Sequence, residues 1–141
     1  VENIMSIIPE SHKDLLEKPV VAVIATVTPE GKPHNAGIWR WYDGEYVYIT
    51  CDYGSRKHKN MSANPNVSLL MLDPANPYRY LEVRGTVVEM IEAGALELLN
   101  KLSDFYVGKP QYFGQVEPAE KLATYRGVLF KIKPERAVTF G

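Results

Sequence analysis

Cysteine is almost missing from this sequence. Cys51 stands alone, so no disulfide forms within the chain and no site of paired thiolates exists. Long apolar runs are missing as well. None approaches the roughly 20 residues that cross a bilayer as a helix, and the first residues lack the charged start and apolar stretch of a signal peptide. The expectation is a cytoplasmic protein in a reducing setting, with no membrane partner. Neither sign of charge is in excess: 16 Lys and Arg stand against 17 Asp and Glu, giving a formal net charge of -1. No global field then recruits nucleic acid, and any basic site must be local. His12, His34 and His58 fall in separate stretches, which leaves no metal-ligand spacing. Gly-rich dinucleotide and phosphate-loop fingerprints do not occur, and the carboxylates form no recognisable acid/base pair.

What is present suits one domain over residues 1–141, long enough to bury a core without staples. Residues 9–17 read as a short helix with Pro9 in its first turn, stopped by Pro19. Residues 20–28 (VVAVIATVT) are β-branched and apolar on both faces as far as Ala25, the pattern of a strand covered on both sides or facing a partner. Pro29-Glu30-Gly31-Lys32 and Asp43-Gly44 are hairpin turns, which makes 34–42 and 45–51 the second and third strands. A helix over 55–63 ends at Asn64-Pro65-Asn66. A fourth strand covers 67–72, Pro74 and Pro77 bracket a loop, and a fifth strand covers 80–90, where Gly85 marks a bulge or a close backbone approach. Ala95, Leu98, Leu99, Leu102, Phe105 and Tyr106 keep helical spacing within 92–106. An aromatic loop over 107–116 and a short helix over 117–124 lead to a last strand, 127–133, with Val128, Phe130 and Ile132 pointing inward. Six antiparallel strands with tight hairpins and short flanking helices predict a mainly β fold, a closed or split barrel.

One segment concentrates charge. Ser55-Arg56-Lys57-His58-Lys59-Asn60 follows a strand end and Gly54, and opens a helix. Backbone N–H groups at a helix start favour an anion. Gly54 allows close backbone approach, Ser55 caps the helix or donates to a phosphate oxygen, Lys57 supplies a point charge and Arg56 a planar fork. The other reading is a solvated cationic helix face that binds nothing. Cations at a helix N-terminus oppose its dipole, and a bound anion relieves that conflict. Cys51 reads as a small core residue.

Taken in order, several pieces resemble the pyridoxamine 5′-phosphate oxidase-like split barrels, and within them the branch that binds coenzyme F420. They are Ala25-Thr26-Val27 with Glu30-Gly31-Lys32-Pro33, Trp39, Tyr48-Ile49-Thr50, Ser55-x-Lys57-x-Lys59-Asn60-Met61, Asn64-Pro65-Asn66-Val67-Ser68-Leu69, Asp73-Pro74 with the stretch from Asn76 through Tyr78, Arg79 and Tyr80 to Arg84-Gly85, and Phe130 to Arg136. The resemblance runs over nearly the whole chain. It implies a six-stranded split barrel and a homodimer with two equivalent cofactor sites at the subunit interface. It places the cofactor phosphate on Ser55, Arg56, Lys57, Lys59 and Asn60, and the flavin or deazaflavin ring against strands near Trp39 and Thr50. It implies an F420-dependent oxidoreductase that passes a hydride to an unsaturated small molecule. An FMN enzyme of the same fold is the alternative, and a non-catalytic flavin or F420 carrier is another. The branch often has arginine where Ser55 and Lys59 align, so fewer rigid forks face the phosphate here. Tyr78 and His34 are the candidate proton donors. Tyr78 and Arg79 either approach the partner's pocket or form a strand-edge pair, and Trp39 is either a wall of the site or core.

Overall fold

β-Branched runs separated by tight turns leave the backbone one economical solution, an antiparallel meander. The computed structural model describes residues 6–141. Its strands are β1 (Ala22–Val27), β2 (Pro33–Ile38), β3 (Trp41–Tyr42), β4 (Val47–Asp52), β5 (Asn66–Asp73), β6 (Asn76–Ile91) and β7 (Gly127–Phe140). All join one antiparallel sheet in the order β2-β1-β5-β6-β7-β4-β3. The two edge strands, β2 and β3, are separated in the chain only by Trp39 and Arg40. Three Cα–Cα steps span at most about 11 Å, so the opposite edges of the sheet must meet there. The sheet is therefore curled into a barrel with a split that Trp39-Arg40 bridges.

The mainly β, split-barrel expectation holds, with seven strands instead of six. The predicted strand over 34–42 breaks at Trp39-Arg40, because the Tyr106 hydroxyl takes over the pairing of Arg40. It accepts the Arg40 N–H at 3.2 Å and lies 3.3 Å from the Arg40 carbonyl. The last strand runs on past Lys133 to Phe140. Pro134 has no N–H to give, and the register shifts where it faces Gly85. A Cβ on Gly85 would collide with the Lys133 carbonyl oxygen, so both readings of that glycine, bulge and close approach, are realised. The loop expected between Pro74 and Pro77 is tighter, since β6 already starts at Asn76.

Alternate residues fill the barrel: Ala22 and Ile24 of β1, Val47 and Ile49 of β4, Leu69 and Met71 of β5, Leu81 and Val83 of β6, Phe130 and Ile132 of β7. The expected N-terminal helix divides into a 3₁₀ turn, Glu10–His12, and α1 (Asp14–Glu17), whose Leu15 and Leu16 close the core. Helix α2 (Arg56–Ala63) inserts Met61 into the core. Helix α3 (Ala95–Val107) lies against β4 and β7 through Ala95, Leu98 and Leu102, and ends on left-handed Gly108. A kinked turn, Tyr112–Gln115, and a 3₁₀ stretch, Ala119–Thr124, complete the chain before β7. No helix among the described residues is long and apolar enough to cross a membrane.

Candidate functional site

The chain leaves β4 at Asp52, turns at Gly54 (φ 77°) and enters α2. Ser55 is the N-cap, its Oγ accepting the His58 N–H at 3.3 Å. The Gly54 N–H donates to His58 Nδ1 at 2.8 Å, so that nitrogen carries the lone pair. The first turn of α2 holds no acidic side chain, so its exposed amides and positive dipole end are met by nothing anionic from within the turn.

A groove on the outside of the barrel runs past this helix start. One hollow of about 620 Å³ is bounded by Thr50, Cys51, Ser55 and Lys57 on one side and by Phe113 and Tyr125 on the other. A second, of about 460 Å³, lies over the split of the barrel between Val21 and Gly37 on one edge and Thr50 on the other. The two share Thr50, Lys57, Leu99 and Tyr112 and so form one continuous cleft, of a size that suits an organic cofactor. Thr50 faces it because β4 alternates: Val47 and Ile49 point into the barrel and Thr50 points out.

Of the sequence-derived candidates, the structure brings Trp39, Thr50, Ser55 and Lys57 together along this cleft. Trp39 is therefore wall, held by a parallel stack on Tyr106 (5.4 Å, 12°) and an edge contact to Tyr112. Arg56 and Lys59 are exposed on α2 and border neither hollow. Asn60 is buried and donates from Nδ2 to Thr26 Oγ1 at 3.0 Å, tying α2 to β1. Tyr78 is 78% exposed and away from the cleft. Arg79 is clamped by Asp14 (2.6 Å), Asp73 (3.0 Å) and the Ser11 carbonyl (2.6 Å). His34 sits half-buried in edge strand β2 opposite Thr26, outside both hollows.

Sequence reasoning passed over Leu99, Tyr112, Phe113, Tyr125 and Arg126, which supply the facing wall. Their one signal is aromatic density after α3. Burial, with nearby carboxylates, pushes the Tyr112 phenol up and holds that of Tyr125 at about 12, so both stay protonated at neutral pH as hydrogen-bond donors. Burial also pushes the Cys51 thiol up, against the opposing pull of Ser55 and Lys57. That describes a quiet thiol and not a nucleophile. Among the described residues no cluster of His, Cys, Asp or Glu is placed to hold a metal.

The sequence model of the family described as pyridoxamine 5′-phosphate oxidase matches residues 8–139. Among solved structures, an F420 reductase shares 35% identity, covering 93% of this chain and 98% of its own, with a TM-score of 0.79. A conserved hypothetical protein from Mycobacterium tuberculosis shares the fold, with 23% identity, coverage of 99% and 89%, and a TM-score of 0.72. A pyridoxine/pyridoxamine 5′-phosphate oxidase of Bacteroides thetaiotaomicron is 34% identical over 56 residues, 38% of this chain. That match spans about a quarter (26%) of the curated relative's length. Family match and barrel agree: the chain belongs to the pyridoxamine 5′-phosphate oxidase family.

Proposed function

We propose that the groove binds a phosphate-bearing deazaflavin, coenzyme F420, and that the protein is an oxidoreductase acting on an unsaturated small molecule. The observation that carries this reading is that Ser55 and Lys57, at the start of α2, border the same cleft as Trp39 and Thr50. The donor set fits a phosphate. Lys57 brings a charge with no carboxylate partner among the described ion pairs, the Ser55 hydroxyl keeps its proton to donate, and the first-turn amides of α2 add to the attraction. Arg56 and Lys59 contribute long-range charge from the exposed face. Trp39 and Thr50 bound the part of the cleft that would take a ring. When bound, the cofactor supplies the hydride chemistry. The residues here orient it, and the aromatic wall excludes water from one side. Reduction also consumes one proton, which solvent supplies; His34 and Tyr78 border neither hollow of this chain, and Tyr78, 78% exposed, is left to reach a partner's cleft.

The 35% identical F420 reductase favours F420 over FMN. FMN remains the alternative cofactor, since Lys57 and Ser55 suit a phosphomonoester equally, and a carrier without turnover is the third reading. A homodimer belongs to this proposal. Val21 (54% exposed), just before β1, and Val23 (36%) on it stand outward, the apolar outer face that a second copy would cover.

Calorimetric titration of F420 and FMN separately, with inorganic phosphate as competitor, tests the reading. Tight binding of one cofactor, weakened by phosphate, is expected, followed by hydride transfer to a panel of conjugated acceptors. If neither cofactor binds, the proposal fails. Binding without turnover on any acceptor supports the carrier. Light scattering on the eluting protein should give twice the chain's 15.9 kDa mass.

A further inference from the structure

The start of α2 is closed by two side chains that bond back across it. Ser55 Oγ accepts the His58 N–H at 3.3 Å, and His58 Nδ1 accepts the Gly54 N–H at 2.8 Å. A helix start closed reciprocally in this way ordinarily has glutamate or glutamine where His58 stands. Here the returning acceptor is an imidazole lone pair. It takes the amide one residue earlier than usual, because the Ser55 N–H is already bonded to the Asp52 carbonyl at 3.1 Å. With Nδ1 as acceptor, the ring proton sits on Nε2 and the imidazole is neutral.

The ring is held in place by its surroundings. His58 is half-buried, with the Tyr53 ring centre at 4.8 Å and the Phe130 ring at 6.0 Å, edge to face. Tyr53 in turn lies 3.5 Å from the Arg126 guanidinium, which grips Glu92 with Nε at 2.8 Å and Nη2 at 3.0 Å. The imidazole therefore cannot swing away from the turn without breaking these contacts.

Two things follow for the turn. Gly54 passes from β4 into α2 at φ 77°, and a glycine has no side chain to hold that conformation. The bond to His58 pins its amide, and with it the direction in which Ser55 and Lys57 leave the turn. The second effect is electrostatic. A carboxylate at position 58 would close the same box and suit the helix dipole. It would also set a negative charge beside Lys57, at the end of the helix that attracts an anion. The first turn of α2 carries no such charge. The carboxylates that border the first hollow lie elsewhere: Asp52 precedes the turn, and Glu117 is matched by Lys121 at 2.9 Å.

We infer that His58 is the positioning residue of the phosphate turn. Its neutral Nδ1 holds the Gly54 amide, and so presents Ser55 and Lys57 to the anion, without bringing a competing negative charge. This rests on the cofactor reading above, which gives Ser55 and Lys57 to the cofactor phosphate.

Three variants separate the parts. His58→Asn places an amide oxygen as many bonds from the backbone as Nδ1 and stays neutral. His58→Asp places a carboxylate oxygen there instead. His58→Phe keeps a ring against Tyr53 and Phe130 and removes the acceptor. Each is titrated by calorimetry with F420, FMN and inorganic phosphate, and exchange of the Gly54 amide is followed by NMR on the free protein. His58→Asn should restore affinity to within about threefold of the unsubstituted protein. His58→Phe should bind roughly three- to tenfold more weakly, the scale of one neutral hydrogen bond, with faster Gly54 exchange. His58→Asp should keep the Gly54 amide protected and a thermal midpoint at or above that of His58→Asn. It should nevertheless bind at least about tenfold more weakly than His58→Asn, the scale of one like charge about 6 Å from the anion. A purely structural role would move stability and affinity together. Equal affinity in the Asn and Asp variants, a Phe variant that binds as tightly as Asn, or Gly54 exchange unchanged in the Phe variant overturns the inference. If His58→Phe does not fold, the Asn and Asp pair decides. If neither cofactor nor phosphate binds the unsubstituted protein, the cofactor reading has failed, and Gly54 exchange alone decides whether His58 holds the turn.

Discussion

Arg40 is the largest side chain sealed in the core, with 0% exposure and no carboxylate beside it. Its Nη2 donates to the carbonyls of Leu15 (2.9 Å), Lys18 (2.6 Å) and Val20 (3.0 Å), closing the end of α1 and the entry to β1. Nε and Nη1 have no partner among the described residues. Burial lowers its pKa from the ordinary value, yet arginine stays charged. Arg40→Met keeps the volume and the backbone link to Tyr106 and removes only the guanidinium. One NH₂ group facing three carbonyls is worth about two charged hydrogen bonds, roughly 3–6 kcal/mol at about 1.5–3 kcal/mol each. Part is returned, because a buried cation with two unpaired nitrogens disappears. The net loss should be about 2–4 kcal/mol, lowering the midpoint of thermal unfolding by on the order of 10 °C for a chain of this length. Urea unfolding with an unchanged m-value measures it, and Arg40→Lys, which keeps charge but loses the fork, should fall between. If Arg40→Met is within about 0.5 kcal/mol of the unsubstituted protein, the carbonyl bonds are cancelled by desolvation and the guanidinium does not hold the split closed.

Lys57→Ala should weaken cofactor binding by about 1.5–3 kcal/mol, roughly 10- to 150-fold in Kd, with little effect on folding; unchanged affinity by calorimetry removes Lys57 from the site. Gly85→Ala should cost about 1–3 kcal/mol in urea unfolding, because the added Cβ meets the Lys133 backbone and not a side chain that can swing away. Equal stability would mean the bulge gives way freely. The hydrogen bond from Arg79 holds Asp14 below its ordinary value of 3.8, and the Ala75 amide and then Arg79 do the same for Asp73. Folded values below unfolded ones stabilise fully above about pH 4, and that stabilisation is lost as pH falls through the folded values. The thermal-midpoint gap between the unsubstituted protein and Arg79→Gln should therefore be widest near neutrality and shrink below about pH 4; a gap that is constant down to pH 3 would show that these carboxylates do not carry the clamp.

What the sequence could and could not disclose divides along the range of the deciding interaction. Asp43-Gly44, the β-branched run of β1 and the helical spacing of α3 are each decided within a few residues, and each forms where its pattern places it. The Ser55 cap is equally local. The break at Trp39-Arg40 is decided by a hydroxyl 66 residues away on Tyr106, and nothing in the run from His34 to Tyr42 announces it. Arg79 follows the same logic. Beside Pro77 and Tyr78 it reads as a residue for a partner's pocket or as one of a strand-edge pair, but Asp14 lies 65 positions earlier in the chain, and only the fold brings the two together. The cleft shows both regimes at once. Its phosphate side is a contiguous segment whose charge is conspicuous in one dimension. Its opposing side is assembled from α3, the turn at Tyr112 and the approach to β7, whose residues look like core and loop until the barrel sets them opposite Lys57. Composition counts Lys121 and Arg126 as available; the fold shows them paired with Glu117 and Glu92.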